Sequence, residues 1–160
     1  MVADIAAGAS EPWWIIGSAA VALHGAPVTG IHDVDVIMGP ADARYVLERA
    51  DVPSTTDTNH PQFRSKVFGT WRDPPLPVEV FAGFSLADSK GWHPVLLESR
   101  QAVSVAGRTL YVPSIGELHR LLLSFGRPKD LDRARLLASL SAAELPPAPA
   151  QPPDPHRSSS

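Results

Sequence analysis

The sequence predicts an α+β fold in which a central mixed β-sheet of about 4–6 strands is flanked by helices. Three observations lead to this prediction. Short runs with alternating apolar residues, at 33–38 and 76–81, are typical of strands, and longer runs with apolar residues at helical spacing, at 40–50 and 115–125, are typical of helices. Two β-prone runs on either side of Ala106-Gly107 predict a hairpin. Because strands and helices are interspersed without an internal repeat, we expect one mixed domain.

Size and composition are those of a single globular domain. The chain has 160 residues, 44% of them hydrophobic, which is enough for one core. A formal net charge of −3 provides no overall basic field, so neither DNA nor an anionic membrane is an expected partner. The absence of cysteine excludes disulfides, thiolate metal sites and a cysteine nucleophile. No apolar run approaches the ~18 residues that span a bilayer and no signal-peptide pattern is present, so a cytoplasmic location is expected.

Changes in composition suggest three segments. Residues 1–12 form an Ala-rich N-terminal segment that is either a short helix or a frayed end, and residues 13–142 carry the periodic patterns of the domain. From 143 to 160 proline and serine dominate. Such a stretch cannot bury a core, so we expect a disordered tail there.

The stretch 13–38 reads as strand, turn, helix, loop and strand. An apolar run at 13–16 is interrupted by Gly17-Ser18, and a run of mostly helix-favouring residues at 19–23 ends near Gly25. In the second strand the alternation places Asp33 and Asp35 on one face, with the valines between and after them on the other.

Two carboxylates on one strand face repel each other, and a hard divalent cation between them is the simplest explanation for the pair. Mg²⁺ is usually held by one or two carboxylates together with the phosphates of a substrate, so Asp33 and Asp35 also point to a nucleotide. Gly17-Ser18, at the predicted start of a helix, supplies close backbone approach and free N–H groups for phosphate.

The other elements follow in chain order. A helix is predicted over 40–50, a loop over the Thr-, Pro- and Asp-rich 51–61, and a strand over 63–71. The strand at 76–81 precedes 83–94, which is predicted to be a loop containing at most a helical turn.

The C-terminal part reads as two helices. Ser114 and Glu117 form the capping-box pattern before the helix at 115–125, and 126–130 is predicted to separate it from a last helix over 131–140. Of the histidines, His24 is interpreted as a helix-end side chain that bonds backbone carbonyls, and His60, for which no partner is evident, as exposed.

Glu79 stands out in its strand because its neighbours Val78 and Val80 share the opposite face. A glutamate in mid-strand is unfavourable if it is buried and unpaired. We expect it to point towards Asp33 and Asp35; the alternative is an edge-strand glutamate that faces water.

Together these motifs resemble the polymerase-β-like nucleotidyltransferase superfamily, which has a glycine-serine turn, a later Asp-x-Asp and a third carboxylate on a following strand. The small bacterial members are most similar: relatives of abortive-infection toxins, minimal nucleotidyltransferase antitoxins and aminoglycoside nucleotidyltransferases. The segment Gly126-Arg-Pro-Lys-Asp130 resembles one in the toxin-related members. The resemblance covers about 13–140 and implies the nucleotidyltransferase fold.

The resemblance implies transfer of a nucleoside monophosphate from a nucleoside triphosphate such as ATP to a hydroxyl of a protein, a tRNA or a small molecule, with Mg²⁺ or Mn²⁺ as cofactor. The catalytic and metal-binding residues would be Asp33, Asp35 and Glu79. The nucleotide-binding residues would be Gly17, Ser18, Arg127 and Lys129. For the last two, the alternative is that they only cap helices and pair with Asp130 or Asp132.

Two departures from the family's pattern concern phosphate-facing cations. Many relatives carry an arginine where this chain has Val28, and a lysine where it has Leu122; Arg120 or Lys129 could take over this role. The alternative functions are therefore a catalytically degenerate binding module, such as a toxin–antitoxin component, and a plain metal-binding domain without nucleotide.

Overall fold

The computed structural model describes residues 1–143, and the predicted tail lies outside them apart from Ala143, its first residue. None of the described helices is long and apolar enough to cross a membrane. The helices are α1 (Val2–Ile5), which a 3₁₀ turn (Ala6–Gly8) follows, α2 (Gly17–Leu23), α3 (Pro40–Arg49), α4 (Ile115–Phe125) and α5 (Pro128–Ala143). The strands are β1 (Trp14–Ile16), β2 (Val34–Ile37), β3 (Thr55–Asp57), β4 (Phe63–Trp71), β5 (Val78–Ala82), β6 (Ser85–Asp88), β7 (Gly91–Pro94), β8 (Gln101–Val105) and β9 (Arg108–Val112).

The main sheet is mixed and has the strand order β1-β2-β5-β4-β6-β7, with β3 attached to β4. Strands β2 and β5 pair in parallel, and the other neighbours pair antiparallel. The hairpin β8-β9 forms a separate two-stranded sheet, as the turn at Ala106-Gly107 predicted. The predicted mixed sheet flanked by helices is thus confirmed.

Strands β5 and β6 act as one bent strand along β4. The pairs Val67–Ala82 and Arg64–Ser85 keep the same register on either side of the bend. At the bend Gly83 has φ +58, and a Cβ there would lie 2.7 Å from the Lys66 side chain, so only glycine fits without displacement. The curl brings the far end of the sheet round towards the face that carries Glu79.

Three element predictions were wrong. The predicted loop at 83–94 is the hairpin β6-β7, which is held by pairing with β4 rather than by a hydrophobic alternation of its own. The predicted loop at 51–61 contains β3, which pairs irregularly with β4. Helix α5 begins at Pro128 rather than at 131. Proline is tolerated at this position because the N–H that it lacks would have no partner in the first turn of a helix.

Helix α3 covers one face of the sheet, and the start of α5 lies over the other. Under α3 the valines of β5 are buried, and β4 contributes Gly69, where a Cβ would lie 2.6 Å from Leu47. Since Val78 and Val80 occupy this face, the alternation of β5 directs Glu79 to the other one. The sheet is therefore closed by packing on one side and open for a site on the other.

Two predicted local interactions are confirmed. The Ser114 hydroxyl accepts a hydrogen bond from the Glu117 N–H (3.2 Å) and caps α4. The Glu117 carboxylate binds Ser99 N–H (2.9 Å) instead of returning to Ser114, so only half of the predicted capping box forms. His24 Nε2 donates to the carbonyl oxygen of Pro113 (2.8 Å), which is the structural role expected for it.

The N-terminal segment is anchored by one buried carboxylate. Asp42, in the first turn of α3, is 5% exposed and accepts hydrogen bonds from Ser10 N (2.9 Å), Ser10 Oγ (3.0 Å) and Glu11 N (2.9 Å). These hydrogen bonds hold the pKa of Asp42 below its usual value, and the bond from the Ser10 backbone N–H makes the largest contribution. The segment is thus a short helix docked on the domain rather than a frayed end.

Replacing Asp42 by asparagine is expected to lower the free energy of unfolding by about 1–3 kcal/mol at neutral pH, because an amide cannot accept all three hydrogen bonds. The pKa of Asp42 is lowered by folding. Its contribution is therefore present above the unfolded-state pKa of about 3.9 and is lost as the pH falls through the folded-state pKa. Urea denaturation at several pH values should show the difference from wild type shrinking on acidification.

The exposed Asp73 provides the matched control. We expect Asp73→Asn to change the free energy of unfolding by less than about 0.5 kcal/mol. If Asp42→Asn behaved in the same way, the anchoring role of Asp42 would be wrong.

Candidate active site

Three carboxylates converge on the open face of the sheet. Asp35 of β2 and Glu79 of β5 are direct partners in the parallel register, and Asp33 immediately precedes β2. One carboxylate oxygen from each residue lies within 4.8 Å of the others. The structure therefore brings together the three residues that the sequence nominated, and β5, which pairs with β2 and β4, is not an edge strand.

The electrostatics of this acidic triad, Asp33, Asp35 and Glu79, favour a positive charge. Burial, followed by the negative charges of Asp33 and Glu79, raises the pKa of Asp35 to about 8. Burial and then the charge of Asp33 also raise the pKa of Glu79. Three hard oxygen donors that resist simultaneous ionisation are a donor set that Mg²⁺ or Mn²⁺ fits, since the cation would remove the repulsion.

Gly17 connects the predicted glycine-serine turn to this triad. It has φ +67 at the start of α2, and a Cβ there would lie 2.8 Å from Asp35 Oδ2. A side chain at position 17 would therefore both strain the backbone and displace the carboxylate. Ser18, by contrast, is 4% exposed in the first turn of α2, and Gly17 is the member of the pair that lines the cavity described next.

A cavity of about 390 Å³ opens beside the triad. Its far wall is aromatic and comes from β4, β5, the β5–β6 bend and α4: Phe63, Phe68, Phe81, Phe84 and Phe125. His60 is exposed, as predicted, but it does have partners: its ring centroid lies 4.9 Å from that of Phe63, and Nδ1 accepts a hydrogen bond from Gln62 N–H (3.1 Å). Because the wall comes from segments far apart in the chain, the sequence analysis did not find it.

The basic residues of the cavity come from α5 and the residue before it. Arg127 donates to both carboxylate oxygens of Asp130 (2.6 and 3.0 Å), and Asp130 is fully buried. Arg127 thus forms the pairing with Asp130 that was one of its two predicted roles, and it lines the cavity as well. Lys129 also lines the cavity, and so does Arg133, which the sequence analysis had not singled out.

The two positions where relatives carry cations behave differently here. Leu122 is completely buried in the core, and Val28 is partly buried against the core. Arg120 is exposed on α4 and is not among the residues that line the cavity. Of the two substitutes considered, only Lys129 is therefore placed to act.

No protein-family model and no curated protein sequence matches the chain. Solved structures do resemble it. TM1012, a protein of Thermotoga maritima assigned as a nucleotidyltransferase, has a TM-score of 0.68 and 22% identity, with 89% of each chain covered. The antibiotic-resistance factor ANT(2'')-Ia has a TM-score of 0.59 and 13% identity, covering 88% of this chain and 80% of its own. The lincosamide antibiotic adenylyltransferase LnuA, bound to lincomycin, has a TM-score of 0.56 and 14% identity, covering 87% and 93%.

At these identities the comparisons show the fold. The chain has the nucleotidyltransferase fold that its motifs predicted. The roles of individual residues in the cavity remain predictions.

Replacing Asp35 by asparagine is expected to stabilise the metal-free protein at pH 8 and above. The pKa of Asp35 is raised by folding to about 8, so the stability that its proton provides is present below the unfolded-state pKa and is lost as the pH rises through about 8. The asparagine variant does not undergo this loss of stability. An increase in Tm of about 2–4 °C corresponds to roughly 1 kcal/mol at this chain length.

Thermal unfolding in EDTA and in Mn²⁺ would measure both effects. Mn²⁺ should raise the Tm of the wild type and leave that of Asp35→Asn nearly unchanged. The control is Asp57→Asn, which removes another carboxylate of the cavity lining and should keep the response to Mn²⁺. An equal Mn²⁺ effect in wild type and Asp35→Asn would contradict a metal site at the triad.

Proposed function

We propose that this protein is a nucleotidyltransferase that uses Mg²⁺ or Mn²⁺ to move a nucleoside monophosphate from a nucleoside triphosphate to a hydroxyl group. The observation that carries the proposal is the acidic triad, with carboxylate oxygens within 4.8 Å of one another on two adjacent strands of a nucleotidyltransferase fold. Basic residues that line the same cavity supply the complement for phosphate.

The residues of the triad have different proposed roles. Asp33 and Asp35 would hold the metal, and Glu79 would complete a second metal site or take the proton of the attacking hydroxyl. A bound divalent cation supplies neutralisation of the phosphate charge and an in-line geometry. Burial, followed by the charge of Asp33, raises the pKa of Glu79, which favours a role as proton acceptor.

The proposed reaction is a single displacement. The acceptor oxygen forms a bond to the α-phosphorus, the bond between that phosphorus and the oxygen bridging to the β-phosphate breaks, and pyrophosphate leaves with the electron pair. The acceptor proton passes to Glu79 or to solvent. Because no covalent enzyme intermediate is required, the protein contributes position and charge.

Phosphate binding is assigned to the residues nominated from the sequence. Gly17, next to Asp35, and the buried Ser18 lie where α2 begins, and their backbone N–H groups would receive the β- and γ-phosphates. Lys129 lines the same cavity from α5. Arg127 can contribute donors at its exposed edge, because its side chain is 35% exposed while it binds Asp130.

The donor and acceptor are proposed by analogy. LnuA is an adenylyltransferase of lincosamide antibiotics and ANT(2'')-Ia is an antibiotic-resistance factor. ATP is therefore the first donor to test, and a hydroxyl of a small molecule, a protein or a tRNA is the proposed acceptor. The aromatic wall of the cavity offers apolar surface that favours a ring or another apolar group beside the reacting hydroxyl.

A second candidate is a binding module that has kept the carboxylates without turnover, such as one half of a toxin–antitoxin pair. The burial of Leu122 favours it, since that position cannot present a cation to the cavity. Co-purification with a small helical partner and no turnover would support this alternative.

Asp33→Ala, Asp35→Ala and Glu79→Gln are each expected to lower the transfer rate at least about a hundredfold, because each removes a ligand or proton acceptor that acts on the transition state. Purified protein, Mg²⁺ and labelled nucleoside triphosphates would be incubated with tRNA, candidate proteins and a small-molecule panel. Transfer would be quantified by the label that the acceptor gains.

Glu48→Gln, at an exposed position on α3, is the matched control and should react at the wild-type rate. If Asp35→Ala transferred the label as fast as the wild type does, the proposed mechanism would be wrong. A wild type that binds Mg²⁺ and nucleotide but transfers to no acceptor would favour the binding module.

A further inference from the structure

The start of α5 presents two cations to the cavity, one helical turn apart. Lys129 and Arg133 are spaced i and i+4, so their side chains lie on the same face of the helix. Both line the cavity that contains the acidic triad. The Arg133 side chain is only 20% exposed, so most of it is shielded from bulk solvent.

The buried Asp130 separates the roles of the two arginines. Arg127 donates to both of its oxygens, and the Arg127 guanidinium also lies over the Phe63 ring, 4.9 Å from its centroid. Arg133 Nη1 stands 3.7 Å from Asp130 Oδ1, which exceeds hydrogen-bond length. Asp130 therefore attracts Arg133 and holds it near the cavity without occupying its donors.

The charges of α5 also act on the triad. Lys129 and Arg133 line one cavity with Asp35 and Glu79. Since Asp35 and Glu79 are neighbours across β2 and β5, two cations from one helix face two adjacent carboxylates. Phosphate groups held by a metal at the triad would lie between these two layers.

We propose that Arg133, together with Lys129, binds the triphosphate of the donor nucleotide and supplies the positive charge that Val28 and Leu122 do not. The inference rests on the proposed function and assigns a role to a residue that no motif had nominated. A guanidinium donates charge-assisted hydrogen bonds to two phosphate oxygens at once, which is the contact that the cavity needs opposite its carboxylates.

The test compares Arg133→Gln and Arg133→Lys with Arg135→Gln. Arg135 lies on the same helix, is 73% exposed and pairs with Asp132, so it matches the charge change away from the cavity. Calorimetric titration with Mg²⁺-tripolyphosphate, which needs no knowledge of the base, measures the contact. We expect about tenfold weaker binding for Arg133→Gln, the loss of one charge-assisted contact, and near wild-type binding for Arg135→Gln. Arg133→Lys should recover part of the affinity because it keeps the charge.

A second titration, with Mn²⁺ alone, separates this role from structural damage. Removing a positive charge close to Asp35 should leave Mn²⁺ binding unchanged or make it tighter, whereas a distorted site would bind both probes more weakly. Weaker binding of tripolyphosphate without weaker binding of Mn²⁺ is the signature of a phosphate contact. If Arg133 only neutralised Asp130, Arg133→Gln would be less stable but would bind Mg²⁺-tripolyphosphate as the wild type does.

The outcomes also distinguish this inference from the function on which it rests. If Arg133→Gln binds tripolyphosphate or ATP as tightly as the wild type does, the role of Arg133 is overturned. The proposed function then still stands. Weaker binding of both Mn²⁺ and tripolyphosphate by Arg133→Gln, with Arg133→Lys equally impaired, likewise overturns it. A wild type that binds neither tripolyphosphate nor any nucleoside triphosphate with Mg²⁺ overturns both.

Discussion

The side-by-side placement of Asp35 and Glu79 on parallel strands is the constraint on which the rest of the structure depends. Of the strand pairs in residues 1–143, only β2 and β5 are parallel, and such a pair needs a long crossover. The crossover contains α3, which buries the valine face of β5 and leaves the carboxylate face uncovered. Fold and site thus have one origin: the connection that makes the pairing parallel also decides which face is open.

Features of two neighbouring helices accommodate this carboxylate pair. Gly17 lacks a Cβ where one would approach Asp35 Oδ2 to 2.8 Å, so the first turn of α2 can pass beside the carboxylate. Helix α5 places Lys129 and Arg133 in the lining of one cavity with the pair, and the fully buried Asp130 belongs to the same lining. A buried carboxylate is costly unless paired. Arg127 pairs with Asp130, which offsets the cost of burying this carboxylate. Asp130 in turn orients the positive charges of the helix.

The sequence could predict whatever depends on local alternation and spacing. Asp33 and Asp35 share a strand face, and Glu79 opposes two valines, so period-2 geometry placed all three residues and the family resemblance assigned them roles. It could not show the aromatic wall, whose phenylalanines come from four separate elements. Strand β6 has no hydrophobic alternation and exists because β4 and β7 supply its hydrogen bonds. Arg133 was missed for a different reason: with α5 placed from 131, Lys129 read as a loop residue and its i,i+4 relation to Arg133 was hidden.

The position of Pro128 therefore bears on function as well as on helix length. Read as a helix breaker, it puts Arg127 and Lys129 in a flexible connection where their directions are undefined. As the first residue of α5, with φ already suited to the helix, it gives Lys129 and Arg133 a common face. Positive charge that many members of the superfamily that the motifs resemble carry before β2 and on α4 would then come from α5, while Leu122 packs in the core. The departures at Val28 and Leu122 are for this reason compatible with a relocated cation site as well as with a lost one, and the presence of Lys129 and Arg133 in the cavity lining favours relocation.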